Sequence, residues 1–261
     1  MTGSGAVLTL VLIEWAAGWI GVAAWTQSWG VVRRGHFRIT AWITAALALM
    51  ALLANFGAAP EDASLQRGLI VTLFAASLVY LGAQYVRSDL VGAVVGGVAA
   101  VVGAAGLVEA AGYLEGGGRA LTIAGLLAGA GFLGSITNGM MLGHWYLNQP
   151  GLKPWALARL TLLALAGVGL TLLTGAVDVG RLTEASTEGA VLGLPGFGDS
   201  FGVAFYGIWF VLAAFSGGVV WMARRCIQIR SIQSATGLYY VAILTSGVAE
   251  FLVRYLMVNA T

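Results

Sequence analysis

Long apolar runs broken by short polar turns set the strongest limit on how this chain folds. They fall at roughly residues 6–31, 39–59, 68–86, 90–114, 120–147, 155–177, 201–222 and 237–259. Each is long enough for a helix to cross a hydrocarbon layer of about 30 Å, which takes about 20 residues at 1.5 Å per residue. The breaks carry turn and charge signals: RRGHFR, PEDASLQR, EGGGR, NQPGLKP and, longest, the segment 178–200. None is large enough for a soluble domain. The pattern predicts an all-α polytopic transmembrane helix bundle of eight spans, a single integral membrane domain over residues 1–261.

Composition excludes the other classes. Apolar residues make up 59% and charged residues 9%, against about 25% charged in soluble domains. So few charges cannot cover a globule in water, and so much apolar side chain is incompatible with disorder. The single cysteine, Cys226, excludes an internal disulfide framework, a cysteine zinc site and an iron–sulfur cluster held by this chain alone. No metal site is expected. The net charge of +2, with no long basic run, gives no reason to expect nucleic acid. The first residues lack a positive flank and a cleavage site, so they are expected to form a retained span rather than a removed signal peptide.

The basic residues orient the bundle. Odd-numbered loops hold Arg33, Arg34, Arg38, Arg87, Lys153, Arg224, Arg225 and Arg230, whereas even-numbered loops hold only Arg67, Arg119 and Arg181. The even loops also hold Glu61, Asp62, Glu115, Asp178, Glu184, Glu188 and Asp199. The positive-inside rule then puts the odd loops in the cytoplasm and both termini outside, in a bacterial or archaeal cytoplasmic membrane. Trp25, Trp29, Trp42, Trp145, Trp155 and Trp221 fall near the cytoplasmic ends, as an interfacial belt would.

Glycine spacing suggests close helix packing, because helices in lipid associate through small residues. Span 4 has Gly92, Gly96, Ala99 and Gly103; span 5 has Gly131, Ser135, Gly139 and Gly143. Both spans are expected to be central. Gly106-Leu-Val-Glu109 in span 4 resembles Gly247-Val-Ala-Glu250 in span 8, which would make the two four-span halves parallel repeats.

Ionisable groups within the hydrocarbon are costly and call for a functional explanation. Glu14, Glu109, Glu250 and Arg254 all fall at one depth, in the outer leaflet. Glu250 and Arg254, four apart, share a helix face and can pair. The group suits proton uptake or release beside a quinone ring or a transported ion. The plainer alternatives are a structural Glu250–Arg254 pair and a Glu109 that snorkels to the interface.

A second polar group lies at the cytoplasmic end of span 5: Asn138, His144, Trp145 and Tyr146. A quinone head group needs a hydrogen-bond donor at each carbonyl and an apolar slot, and these residue types supply both. Histidine also suits proton transfer to a reduced quinone. The alternative is an interfacial belt followed by a turn at Asn148-Gln149-Pro150-Gly151. Haem is not expected: the second histidine, His36, reads as a solvated loop residue among arginines, and bis-His ligation needs two facing helices. The basic stretch Arg224 to Arg230 marks topology, or a docking face for an acidic peripheral subunit or anionic lipid.

Eight spans, the Glu14-Trp15 pair and the closing stretch Gly247-Val-Ala-Glu250-Phe-Leu-Val-Arg254-Tyr255-Leu resemble the quinone-reactive membrane anchors of the polysulfide and dimethyl-sulfoxide reductases, the NrfD/DmsC type. Span 1 lacks the histidine that contacts quinone in that family. The resemblance implies an anchor that exchanges electrons between quinol and a peripheral iron–sulfur subunit, with no complete activity alone. Three functions fit the residues: a quinone-binding subunit of a respiratory electron-transfer complex, a small proton- or ion-coupled transporter, and a structural or assembly protein. The absence of proline from every span interior argues against the broken helices of a transporter. Membrane lipid, quinone or quinol, and peripheral or membrane protein subunits are the expected partners.

Overall fold

A computed structural model describes residues 3–58, 63–114, 118–149, 151–184 and 201–260. The expected turn residues Pro60, Glu61, Asp62, Glu115 and Pro150, and the loop residues Glu188, Pro195 and Asp199, lie outside the described residues. The elements are α1 (Gly3–Gln27), α2 (Arg34–Ala58), α3 (Ser64–Ala83), α4 (Asp89–Ala110), α5 (Arg119–Trp145), α6 (Trp155–Val177), α7 (Val179–Thr183), α8 (Phe201–Gln228) and α9 (Ile232–Asn259). A 3-10 turn, Ala111–Tyr113, extends α4. All but α7 are long and apolar enough to cross a membrane, which makes eight candidate spans among the described residues. Helix is the spanning form available to such segments, because it satisfies every backbone group internally.

The bundle reverses the usual distribution of polarity. Val101 is 70% exposed, Leu244 71% and Leu90 69%, while Glu14, Gln27, His36, Asn55, Gln84, Asn138 and Glu250 are closed off from the surface. An outside this apolar is at home against acyl chains, so the chain is an integral membrane protein in contact with lipid.

The helices form two rings of four. In the first, α1 packs on α2 and α4, and α3 closes the ring between them. In the second, α5 packs on α6 and α9, and α8 lies between those two. The rings join where α1 meets α5, with α9 also touching α1. At this junction Gly18 lies on Ala130, and Gly134 lies on Gly18, so closely that a methyl group on either glycine would overlap the opposite backbone. Only glycine allows two helix backbones to approach this far.

Span 4 is not central. Its stripe instead clasps α1, with Gly92 against Gln27, Gly96 against Ala24 and Gly103 against Ala17, while α4 only grazes α5. Span 5 is central, but through more than one face. Gly134 meets α1, Gly139 meets Tyr239 of α9, Gly143 meets Thr236 of α9, and Gly131 faces open space.

Two boundaries differ from the hydropathy pattern for one reason. Helix α2 starts at Arg34, inside the expected loop, and α8 runs on through Arg224 and Arg225 to Gln228. Hydropathy finds where hydrocarbon ends, but a helix continues into the interface when long basic side chains can reach water. Arg34 is anchored as well: its Nε lies 3.1 Å from Asp89 Oδ1 at the start of α4, and it donates to the Val86 carbonyl. The same extension corrects the reading of His36. It is no solvated loop residue but sits buried in the first turn of α2.

Candidate functional site

Three of the four predicted intramembrane charges meet in one cluster where the rings join. Arg254 of α9 places Nε 2.7 Å from Glu14 Oε1 on α1 and Nη2 2.7 Å from Glu250 Oε2 one turn earlier on α9. Nη2 also donates to the Gly125 carbonyl of α5 at 2.9 Å, and Nη1 lies 2.8 Å from the Met257 sulfur. Glu14 and Glu250 have no exposed surface, and Arg254 is 1% exposed. Gly129 of α5 makes room for them, since a methyl there would collide with Arg254 and the Glu250 carboxylate. Glycine at 129 thus lets α5 lie directly over the ions.

Charge counting makes this more than a salt bridge. One guanidinium faces two carboxylates, so the fully ionised cluster carries one net negative charge. Glu14 Oε2 and Glu250 Oε1 are buried without a hydrogen-bond partner among the described residues. A buried, uncompensated charge is expensive. One proton shared by the carboxyls makes the cluster neutral.

A cavity of about 10 Å³ adjoins the cluster, lined by Gly125, Thr171, Thr174, Asp178, Trp209 and Arg254 among others. That is about enough for one water molecule and too small for a quinone ring. Asp178 Oδ2 pairs with Arg181 Nη2 at 2.7 Å, and Arg181 Nη1 donates to Thr122 Oγ1 at 3.2 Å. Burial pushes the Asp178 carboxyl above its ordinary range, and Arg181 opposes the shift.

Glu109 is not part of this cluster. It is half-buried on α4 and accepts a hydrogen bond from Tyr113 at 3.3 Å. Glu109 and Tyr113 are four apart, as are Glu250 and Arg254, and α4 occupies the place in its ring that α9 occupies in the other. The two halves therefore repeat the carboxylate–partner spacing, with a phenol in one and a guanidinium in the other.

The second predicted group divides across α5. His144 and Tyr146, with Leu147, Ile232, Gln233 and Tyr240, line a groove of about 510 Å³ between the end of α5 and the start of α9. Tyr146 keeps its hydroxyl for the following turn, donating to the Lys153 carbonyl at 2.7 Å, and burial pushes the phenol up to about 12. Asn138 and Trp145 point elsewhere. Asn138 Nδ2 donates to Thr26 Oγ1 at 2.8 Å, and its Oδ1 lies 3.2 Å from His36 Nε2. The Trp145 ring meets the His36 ring edge-on, with centroids 6.0 Å apart.

Several buried polar residues escaped the sequence reading. Gln27 and Gln84 hydrogen-bond at 2.8 Å, and Tyr80 donates to Gln27 at 3.2 Å, inside the first ring. No charge marks them, and a hydropathy scale passes over an amide among alanines. His36 was hidden by neighbouring arginines. Among the described residues no group of three or more His, Cys, Asp or Glu side chains is placed to hold a metal. No family model, curated protein or solved structure matches this chain.

Proposed function

We propose that the chain is an integral membrane subunit of an electron-transfer complex that binds quinone or quinol and anchors a peripheral redox subunit. The groove between α5 and α9 carries this reading. Its volume of about 510 Å³ falls within the usual 300–1,000 Å³ range of small-molecule sites. His144, Gln233 and Tyr240 offer hydrogen bonds to ring carbonyls, and Leu147 and Ile232 offer apolar walls. The arginine bias puts this end of the bundle in the cytoplasm and both termini outside. The basic residues Arg224, Arg225 and Arg230 flank the same face and suit an acidic partner. A photoreactive quinone analogue in native membranes tests the site. Saturable labelling within residues 143–147 or 232–240, competed by unlabelled quinone, is expected. Labelling absent there, or insensitive to competitor, overturns it.

Glu14, Glu250 and Arg254 form the proton site of this reading, in the outer half of the bundle. Along α9, Thr236 and Glu250 are 14 residues apart, or about 21 Å at 1.5 Å per residue, so ring and proton sites are separate. Glu109 stands outside the exchanging group. A second function, a small proton- or ion-coupled transporter, is favoured by the unbalanced carboxylate alone. Proton flux into liposomes without added quinone would select it.

A further inference from the structure

Arg254 has one poorly matched nitrogen. Its Nε and Nη2 meet carboxylates, but Nη1 meets only the thioether of Met257, a weak acceptor. Arg254 borders the small cavity together with Met257, Thr171 and Trp209, and Thr171 Oγ1 and Trp209 Nε1 are the polar atoms to consider there. Both atoms are buried without a hydrogen-bond partner among the described residues. A cavity of about 10 Å³ with several convergent polar groups meets the conditions for one ordered water. Asp178 lies on its other wall, at the end of α6.

In the opposite direction the helix backbones are in close contact. One turn beyond Glu14, Gly18 presses on Ala130 and Gly134 with no space between the backbones. Further along, Gly167 abuts Phe132. The cluster therefore has a polar cavity toward the end of the bundle that carries Gly3 and Asn259, and tightly packed α1–α5 and α5–α6 backbones toward the other.

We propose that this cavity is a water site through which Glu14 and Glu250 exchange their proton with the Asp178 end of the bundle, so that access is one-sided. The water donates to Thr171 and accepts from Trp209 and, once the guanidinium has moved aside, from the protonated carboxyl; as it takes that proton it passes one of its own to the Asp178 carboxylate, leaving the glutamate ionised and Asp178 protonated. Arg254 relays no proton. Its guanidinium spans from the cavity to the two carboxylates, and a small displacement lets the water touch them. The charged groups around the path are Asp178, Arg181, Arg254, Glu14 and Glu250. The inference rests on the proton-site reading of the cluster and is independent of quinone binding.

Infrared spectroscopy of the full chain in lipid, following the protonated carboxyl band after transfer to heavy water, tests it. The band is expected to fall in Glu14→Gln or Glu250→Gln. Its exchange is expected to slow about tenfold, the scale of one lost hydrogen-bonded step, in Thr171→Val and in Asp178→Asn, at unchanged band size. Thr161→Val lies on the same helix but bonds Tyr239, and it should exchange at the parent rate. A band present but exchanging equally fast in Thr171→Val and Asp178→Asn overturns the entry route alone. A band unaffected by either glutamate substitution overturns the proton site and the route with it.

Discussion

Arg254 and Glu14 belong to the last and first long helices, yet they are held 2.7 Å apart with almost no exposed surface. Removing the arginine would strand two carboxylates in the buried interior. Breaking a buried pair from one side costs about 3–5 kcal/mol, so Arg254→Gln should unfold far more readily than the parent in detergent. Glu14→Gln and Glu250→Gln each leave a balanced one-to-one pair and should be much milder. Thermal unfolding of the four proteins, with Glu14→Gln/Arg254→Gln to close a cycle, measures the coupling. An Arg254→Gln protein as stable as Glu14→Gln would show that the cluster is not held by charge. Lysine is a poor substitute at this position, because its compact ammonium lacks the planar fork whose Nε and Nη2 are spaced to meet carboxylates on two helices.

Glycine packing yields a sharper contrast. A methyl at Gly129 would strike the ion cluster, one at Gly134 would strike α1, and one at Gly131 meets nothing within 4 Å. Overpacking of this kind costs about 1–3 kcal/mol. Gly129→Ala and Gly134→Ala should lower the melting temperature, whereas Gly131→Ala should leave it unchanged or slightly raised. Equal melting of all three would contradict the helix registry.

The contact between His36 and Asn138 ties the first ring to the second. With His36→Ala, Asn138 Oδ1 loses its partner while Nδ2 keeps Thr26. Leaving one buried acceptor unmade costs about 1–3 kcal/mol. The loss should appear in unfolding and also as faster amide exchange at the start of α2. Were His36 solvated, neither would change.

At the groove, His144→Ala and Tyr240→Phe each remove one donor to a ring carbonyl. A typical hydrogen bond of about 0.5–1.5 kcal/mol predicts quinone affinity lower by about two- to tenfold in each, with stability unchanged because both side chains are exposed. Titration of a fluorescent quinone analogue reads the change. Parent-like affinity in both variants would place the ring elsewhere.

The spans were legible because lipid imposes one demand on every residue of a segment, and twenty apolar residues in a row satisfy it visibly. The Glu250–Arg254 pair was legible from its four-residue spacing. Its third member was not: Glu14 lay at the right depth, but depth says nothing about which helices touch. That depends on Gly18, Gly129 and Gly134, which look like any other glycines in a chain with 39 of them. Glu109 had the same depth as Glu250 and the same local motif. It falls on a helix that packs on α1 and α3, so it stands apart from the ion cluster. The burial of His36 is hidden for a related reason. An arginine-rich turn looks solvated until the helix that grows from it swings the histidine inward.

The pairing of Glu14 with Arg254 also bears on how the protein is made. Helices emerge from the ribosome in order, so Glu14 enters the bilayer with the first of them and its cation arrives with the last. Through most of synthesis the carboxyl lacks the one cation that it pairs with in the finished bundle. A product cut short before α9 would keep an unmatched acid among its helices, a mark by which membrane quality control can tell an unfinished bundle from a finished one.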